Sequence, residues 1–148
     1  MNKGEKAEAL FKEGYNCAQS VAGAFCEELN MDLKTAVKFA SSFGGGMGRM
    51  REVCGAVSGM FMVAGAVLGY DDPKATVEKK EHYALIQDMA KRFKEECGSI
   101  ICRELIAGES SDPTPSPRTK EYYRKRPCGE YVRIAAEIME DVLKNYNN

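Results

Sequence analysis

The sequence contains no tryptophan, only one histidine and no Cys-x-x-Cys motif among its 148 residues. A single histidine, His82, cannot supply a histidine-rich metal site, and its charged neighbours predict a solvated surface position. The missing Cys-x-x-Cys argues against a thioredoxin-like or zinc-ribbon motif. Any site made of cysteines must therefore be assembled by folding from positions that are far apart along the chain.

The chain also lacks an excess of charge of either sign. Its 21 basic and 22 acidic residues are interleaved and give a net charge of -1, so nothing indicates a nucleic-acid interface. The opening residues, MNKGEKAEAL, lack the apolar core of a signal peptide, and a cytoplasmic location is expected. The length suits one cysteine-rich domain, residues 1–148, with a core of its own.

A stretch without charged side chains, residues 53–70, follows a glycine-rich loop at 44–48. Its length is at the lower limit for crossing a bilayer, about 18 residues. Glycine, alanine and serine dilute its apolarity, and the flanks lack aromatic anchors for both interfaces, so no membrane span is expected. The better interpretation is a buried central helix, 53–68, the most buried of the fold. We expect the glycine-rich loop to bring backbone close to Cys54.

Hydrophobic periodicity and capping residues predict helices on both sides of this stretch, and no alternating strand pattern of useful length occurs. The predicted helices are 6–12, 16–29, 32–40, 53–68, 73–97, 99–108 and 128–146. The predicted fold class is all-α: a compact single-domain helical bundle with a buried, small-residue-rich central helix. A polar, proline-punctuated loop at 108–119 is expected to be the most mobile internal segment.

Cysteine is abundant for a chain of this size, with residues Cys17, Cys26, Cys54, Cys97, Cys102 and Cys128. In a reducing compartment such thiols are more often metal-binding or redox-active than parts of a disulfide scaffold. The predicted helices place Cys17, Cys102 and Cys128 in the first turn of a helix, and Cys54 lies close to a helix start. At such positions the helix dipole lowers the pKa of a thiol. Arg49 and Arg51 are expected to reinforce this effect at Cys54. Cys26 and Cys97 lie near helix ends and are expected to fill the core.

Several short motifs occur together in a fixed order along nearly the whole chain. They are Asn16-Cys17-Ala18-Gln19-Ser20-Val21, the glycine-rich loop, Cys54-Gly55-Ala56-x-x-Gly59, Cys102-Arg103-Glu104-Leu105 and Cys128. This set resembles a small bacterial and archaeal family of putative redox-active proteins named for its C_GCAxxG_C_C pattern. The family label reads G-C-A where this chain reads C-G-A. The resemblance implies a functional set of four cysteines, Cys17, Cys54, Cys102 and Cys128, and gives Cys26 and Cys97 no counterpart.

Three functions remain open. The first is a small cytoplasmic redox protein that uses the four cysteines for thiol–disulfide or electron-transfer chemistry, with a low-pKa cysteine such as Cys54 attacking and a second cysteine resolving. This version would make the protein a thiol-dependent oxidoreductase. The second is a binding protein whose four thiolates hold Zn²⁺ or an iron–sulfur cluster. The third is a structural bundle with passive cysteines. The expected partner is a redox protein or a small-molecule substrate, and the sequence is compatible with a homo-oligomer.

Overall fold

A computed structural model of the protein describes residues 1–146. Its helices are α1 (Lys3–Lys12), α2 (Cys17–Ala24), α3 (Cys26–Leu29), α4 (Leu33–Ala40), α5 (Gly55–Leu68), α6 (Thr76–Cys97), α7 (Cys102–Leu105), α8 (Lys120–Lys125) and α9 (Cys128–Tyr146). A turn of 3-10 helix, Ser41–Phe43, follows α4, and an isolated antiparallel bridge joins Val53 to Ile101. No strand longer than this bridge occurs in the described residues, so the prediction of an all-α fold is confirmed.

The central helix α5 packs between α2 and α9, and α1 covers the other side of α2 and α9. The first six residues of α5, 55–60, are all buried, whereas residues 65–67 at its other end are exposed. The predicted burial is therefore concentrated in the N-terminal half of α5. The expectation that this helix is the most buried was wrong, because eight of its fourteen residues are buried against six of eight in α2. α2 itself is buried along most of its length. No helix in the described part of the chain is both long and apolar enough to cross a membrane.

Glycines at one-turn spacing let α5 cross α2 at short distance. A Cβ atom built on Gly59 would lie 2.8 Å from the Ala18 carbonyl oxygen and 3.0 Å from Val21 Cβ. One on Gly55 would lie 3.1 Å from Cys17 Cβ. Each glycine costs a helix roughly 1 kcal/mol relative to alanine. The close packing that the two glycines allow offsets this cost and fixes the start of α5 against the start of α2.

The remaining core is built from large apolar side chains that each helix turns inward. Phe11 of α1, Phe93 of α6 and Met139 of α9 are fully buried, as are Phe25 and Met60. Burying a side chain of this size contributes roughly 1.5–3 kcal/mol. The core therefore lies between α1, α5, α6 and α9, and the helix starts that carry cysteines meet at one end of it.

Some helix boundaries differ from the predicted ones for local reasons. α1 begins at Lys3 because Asn2 and Glu5 form a capping box. The predicted helix 16–29 is interrupted at Phe25, whose backbone leaves the helical region as its ring enters the core. α6 begins at Thr76, not at residue 73, because the Asp72 side chain accepts from the Lys74 N–H and closes a turn instead. α8 is an additional helix that the sequence did not predict.

Candidate functional site

The starts of α2, α5, α7 and α9 surround one cavity of about 380 Å³. All four cysteines of the predicted set line it, namely Cys17, Cys54, Cys102 and Cys128. Each of their six pairings is close enough for one thiol to affect the pKa of the other. All four are free thiols in this structure. Folding thus brings together residues that are separated by 37, 48 and 26 positions (54 − 17, 102 − 54 and 128 − 102).

Cys17 is positioned by the cap of α2. The Asn16 side chain accepts from the Gln19 N–H, and the Gln19 side chain accepts from the Asn16 N–H, so the helix start is fixed by a capping box. The Asn16 amide also donates to the Ser41 carbonyl at 3.2 Å. The glycine-rich loop passes directly over this cap. It can do so because Gly44 has no side chain, and a Cβ atom there would overlap the side chain of Asn16. Cys17 follows as the first residue of α2, half-buried at the cavity wall.

Cys54 and Cys102 are positioned by the antiparallel bridge. The Cys54 N–H donates to the Ile100 carbonyl at 2.8 Å, and the Cys102 N–H donates to the Glu52 carbonyl at 2.6 Å. This register places both cysteines on one face of the paired segments. A Cβ atom on Gly46 would lie 2.6 Å from Cys102 Cβ, so the glycine-rich loop approaches Cys102. Glycines of the loop line the same cavity as Cys54, and the expectation that the loop brings backbone close to Cys54 stays a prediction.

Cys128 is the first residue of the long helix α9 and is buried. Its pKa is lowered from 9.0 to about 7, first by a hydrogen bond from the Cys17 thiol and then by the charge and hydrogen bond of Arg126, with a smaller effect of Arg118. Burial opposes this shift. The same hydrogen bond, together with burial, raises the pKa of Cys17 well above its ordinary value. The two pKa values are therefore shifted in opposite directions, and the direction favours the thiolate at Cys128.

The other two cysteines favour the protonated thiol. Burial raises the pKa of Cys54 to about 12, although the nearby backbone N–H groups of Val57 and Ala56 favour the thiolate and offset part of this shift. Burial also raises the pKa of Cys102, and a bond from Arg51 offsets only part of this. The prediction that a helix start lowers the pKa of every member of the set was wrong for these two, because desolvation outweighs the helix dipole. It was also wrong for Cys17, because the interaction with Cys128 raises its pKa and burial adds to this effect.

Four guanidinium groups line the same cavity: Arg49, Arg51, Arg118 and Arg126. The sequence predicted Arg49 and Arg51 near Cys54, but Arg51 Nη1 lies 3.7 Å from Cys102 Sγ instead. Arg118 and Arg126 were missed. The position of Arg126, two residues before Cys128, is a sequence feature that could have identified it as a neighbour of that thiol. Arg118 lies in the loop 108–119, where the sequence pattern indicates no site residue.

Arg118 holds the loop 108–119 against the rest of the domain. Its guanidinium donates to the Phe11 carbonyl at 3.0 Å and to the Tyr15 carbonyl at 2.9 Å. It also stacks on the Phe11 ring at 4.5 Å and the Tyr122 ring at 4.9 Å. These contacts bring prolines of the loop, Pro113 and Pro115 among them, to the cavity wall.

The two cysteines outside the predicted set lie outside the cavity. The Cys26 thiol donates to the Gly23 carbonyl at 3.0 Å, and both Cys26 and Cys97 are half-buried. Burial raises the pKa of Cys97 to about 11. His82, predicted on the surface, is half-buried and its ring contacts that of Tyr70 edge-on. Among residues 1–146, no three side chains of the His, Cys, Asp and Glu types are arranged to hold a metal ion.

Comparison with known proteins identifies the family. No curated protein and no solved structure matches the chain. A family model described as "Putative redox-active protein (C_GCAxxG_C_C)" matches residues 15–142, which include every cysteine that lines the cavity. The protein therefore belongs to the C_GCAxxG_C_C family.

Proposed function

We propose that the protein is a thiol–disulfide redox protein in which Cys128 attacks a disulfide substrate and Cys17 resolves the intermediate. The observation that supports this is that Cys17 and Cys128, the first residues of α2 and α9, line one cavity and lie close enough for each thiol to shift the pKa of the other. A thiolate is the nucleophile in disulfide exchange, and an attacking thiol is most effective when its pKa is near the ambient pH. Cys128 is the cavity cysteine that meets this condition.

The reaction takes two exchange steps. The Cys128 thiolate attacks one sulfur of a disulfide R–S–S–R′; a Cys128–S–S–R bond forms, the substrate S–S bond breaks, and R′S⁻ leaves with the proton of Cys17. The Cys17 thiolate then attacks Cys128 Sγ, which forms a Cys17–Cys128 disulfide and releases RS⁻. The substrate gains two electrons and the two cysteines lose two. A dithiol of a redox partner returns the pair to its reduced form by the reverse exchange.

The neighbouring groups suit this division of roles. Arg126 and Arg118 hold positive charge beside Cys128 and favour its thiolate. Cys54 and Cys102 stay protonated at neutral pH, so they add no negative charge that would repel that thiolate. The attacking cysteine of this proposal is therefore Cys128, in place of the Cys54 suggested by the sequence, and Cys54 and Cys102 line the inner wall as neutral thiols.

A trapping experiment tests the proposal. Reduced Cys17→Ser protein is mixed with 2-hydroxyethyl disulfide and analysed by peptide mass spectrometry without reduction. A mixed disulfide should accumulate on Cys128, because the resolving thiol is missing. The Cys26→Ser protein, whose change lies outside the cavity, should instead release the intermediate as the wild type does. A mixed disulfide that accumulates on Cys54 or Cys102 instead would contradict the proposal.

Binding of a metal or an iron–sulfur cluster by the same four cysteines is the alternative. It is tested on protein purified without oxygen, by metal analysis and an assay for acid-labile sulfide. Stoichiometric metal or sulfide that is lost in both Cys54→Ser and Cys128→Ser would favour this alternative over exchange chemistry.

A further inference from the structure

The cavity carries more positive charge than its surroundings balance. Arg126 forms an ion pair with Glu109 at 2.8 Å. Within residues 1–146, the other three guanidinium groups that line the cavity, Arg49, Arg51 and Arg118, form no ion pair with a carboxylate. Arg118 is instead satisfied by carbonyl oxygens and aromatic rings. Asp112 lies near enough to Arg49 to interact with its charge but forms no ion pair with it within the described chain, so Arg49 and Arg51 account for the unbalanced charge.

Arg51 is a buried cation with weak compensation. Its exposed fraction is 5 %, and its bonds go to the Ser110 carbonyl at 3.0 Å and to Cys102 Sγ at 3.7 Å. Burial raises the pKa of Cys102, so its thiol does not supply a full negative charge at neutral pH. A buried guanidinium without a counter-charge is costly, and the cost falls when an anion binds beside it.

Arg49 contributes donors that are not used within the described chain. Its Nε and Nη1 atoms are buried and have no hydrogen-bond partner. The side chain is held in place by the glycine-rich loop, where a Cβ on Gly45 would lie 2.6 Å from Arg49 Cγ. Arg49 itself has a left-handed backbone with φ of 63°, which is uncommon for a residue other than glycine. Arg49 lines the cavity, and its unpartnered donors together with its left-handed backbone indicate a ligand at this wall.

From these contacts we propose that the cavity binds a small organic disulfide that carries an anionic group, carboxylate or phosphate. This rests on the proposed function and names its substrate class. The planar guanidinium groups of Arg49 and Arg51 match the oxygen geometry of such anions. The anion binds there while the disulfide sulfurs reach Cys128, which lines the same cavity. Tyr122 and Tyr131 supply apolar wall for the carbon chain.

Three disulfides of similar length test this inference. They are 3,3′-dithiodipropionate, which is doubly negative, 2-hydroxyethyl disulfide, which is neutral, and cystamine, which is doubly positive. The second-order rate constant for oxidation of the reduced protein should be highest for the negative compound and lowest for the positive one. A thiolate in free solution gives the reverse order, because it repels an anionic disulfide.

Replacing Arg49 by glutamine should lower the ratio of the anionic to the neutral rate constant about tenfold or more, as expected when a charged hydrogen bond is lost. Arg124→Gln removes the same charge from the exposed face of α8, away from the cavity, and should leave the ratio unchanged. A wild-type ratio at or below one, or an equal ratio in the wild type and Arg49→Gln, would overturn the inference.

A binding measurement separates this inference from the exchange chemistry. Suberate has the length of 3,3′-dithiodipropionate but no sulfur, and its binding to reduced protein is followed by calorimetry beside that of inorganic phosphate at equal ionic strength. Binding of either anion, lost in Arg49→Gln, supports the inference even if no disulfide reacts with the protein, and shows which oxyanion is preferred. Reaction with the neutral disulfide but no binding of either anion would overturn the inference and leave the proposed function standing.

Discussion

Replacing Cys17 by alanine removes the hydrogen-bond donor next to Cys128. This should raise the pKa of Cys128, because the hydrogen bond from Cys17 is the largest cause of its low value. The difference between a pKa of 9.0 and one of about 7 corresponds to about 3 kcal/mol in favour of the thiolate. In Cys17→Ala we expect the pKa to recover more than half of this difference. The thiolate fraction at pH 7 should then fall from about one half to below about one tenth.

The assay is the rate of alkylation of Cys128 by iodoacetamide as a function of pH, read from the labelled peptide by mass spectrometry. Cys17→Ala should react about fivefold more slowly at pH 7 and at the wild-type rate near pH 10. Cys17→Ser is the matched control, because its hydroxyl can still donate to the Cys128 thiolate. A wild-type midpoint near pH 9, or an unchanged midpoint in Cys17→Ala, would refute the reasoning.

The same shift predicts how Cys128 contributes to stability. Its pKa is lower in the folded protein, about 7, than the 9.0 of an unperturbed thiol. The contribution is therefore complete above about pH 9 and is lost as the pH falls through about 7. Cys17→Ala should reduce the free energy of unfolding more at pH 9 than at pH 6. Urea unfolding at the two pH values measures this.

Three further predictions follow from the packing of the site. Cys54 has a pKa raised to about 12, so its contribution to stability is complete below about pH 9 and falls by about 1.4 kcal/mol per pH unit above it. Cys17, Cys97 and Cys102 also have raised pKa values, so urea unfolding should show a slope above pH 9 that is smaller by this amount in Cys54→Ser than in the wild type. Gly59→Ala should destabilise by about 1–3 kcal/mol because its Cβ would meet the Ala18 carbonyl, whereas Gly65→Ala, with open space around it, should stabilise by about 0.5–1 kcal/mol; equal thermal shifts would contradict this. Limited proteolysis should cut first in the loop 108–119, where residues 109–115 are all exposed, and first cleavage inside α5 would contradict the packing described.

The features that sequence could predict are the local ones. Asn16 followed three residues later by Gln19 is a helix start that needs only neighbouring residues, and α2 begins there. The charge-free stretch that contains Gly55 and Gly59 was predicted to be buried because it has no charged side chains. Residues 55–60, in its first half, are buried. The order of four cysteines indicated one shared site, and folding brings them to one cavity.

The features that sequence could not predict depend on tertiary contacts. A helix start suggested a thiolate at Cys54, but the pKa of that thiol is set by how deeply the bundle buries it. Arg118 is positioned by hydrogen bonds to carbonyl groups more than 100 positions away in the sequence. No local sequence pattern could therefore identify it as a residue of the cavity. α8 forms where Tyr122 and Tyr123 pack on the Phe11 ring. The six residues of α8 are all charged or aromatic, so their sequence alone does not indicate this distant contact.

The central claim is that Cys17 and Cys128 form the redox-active pair, and the disulfide formed on oxidation tests it most directly. Reduced wild-type protein is oxidised with one equivalent of 2-hydroxyethyl disulfide, its remaining thiols are alkylated, and the unreduced digest is analysed by mass spectrometry. The account predicts one cross-linked peptide pair that joins Cys17 to Cys128, with the other four cysteines alkylated. A cross-link between Cys54 and Cys102, or six alkylated cysteines, would contradict it.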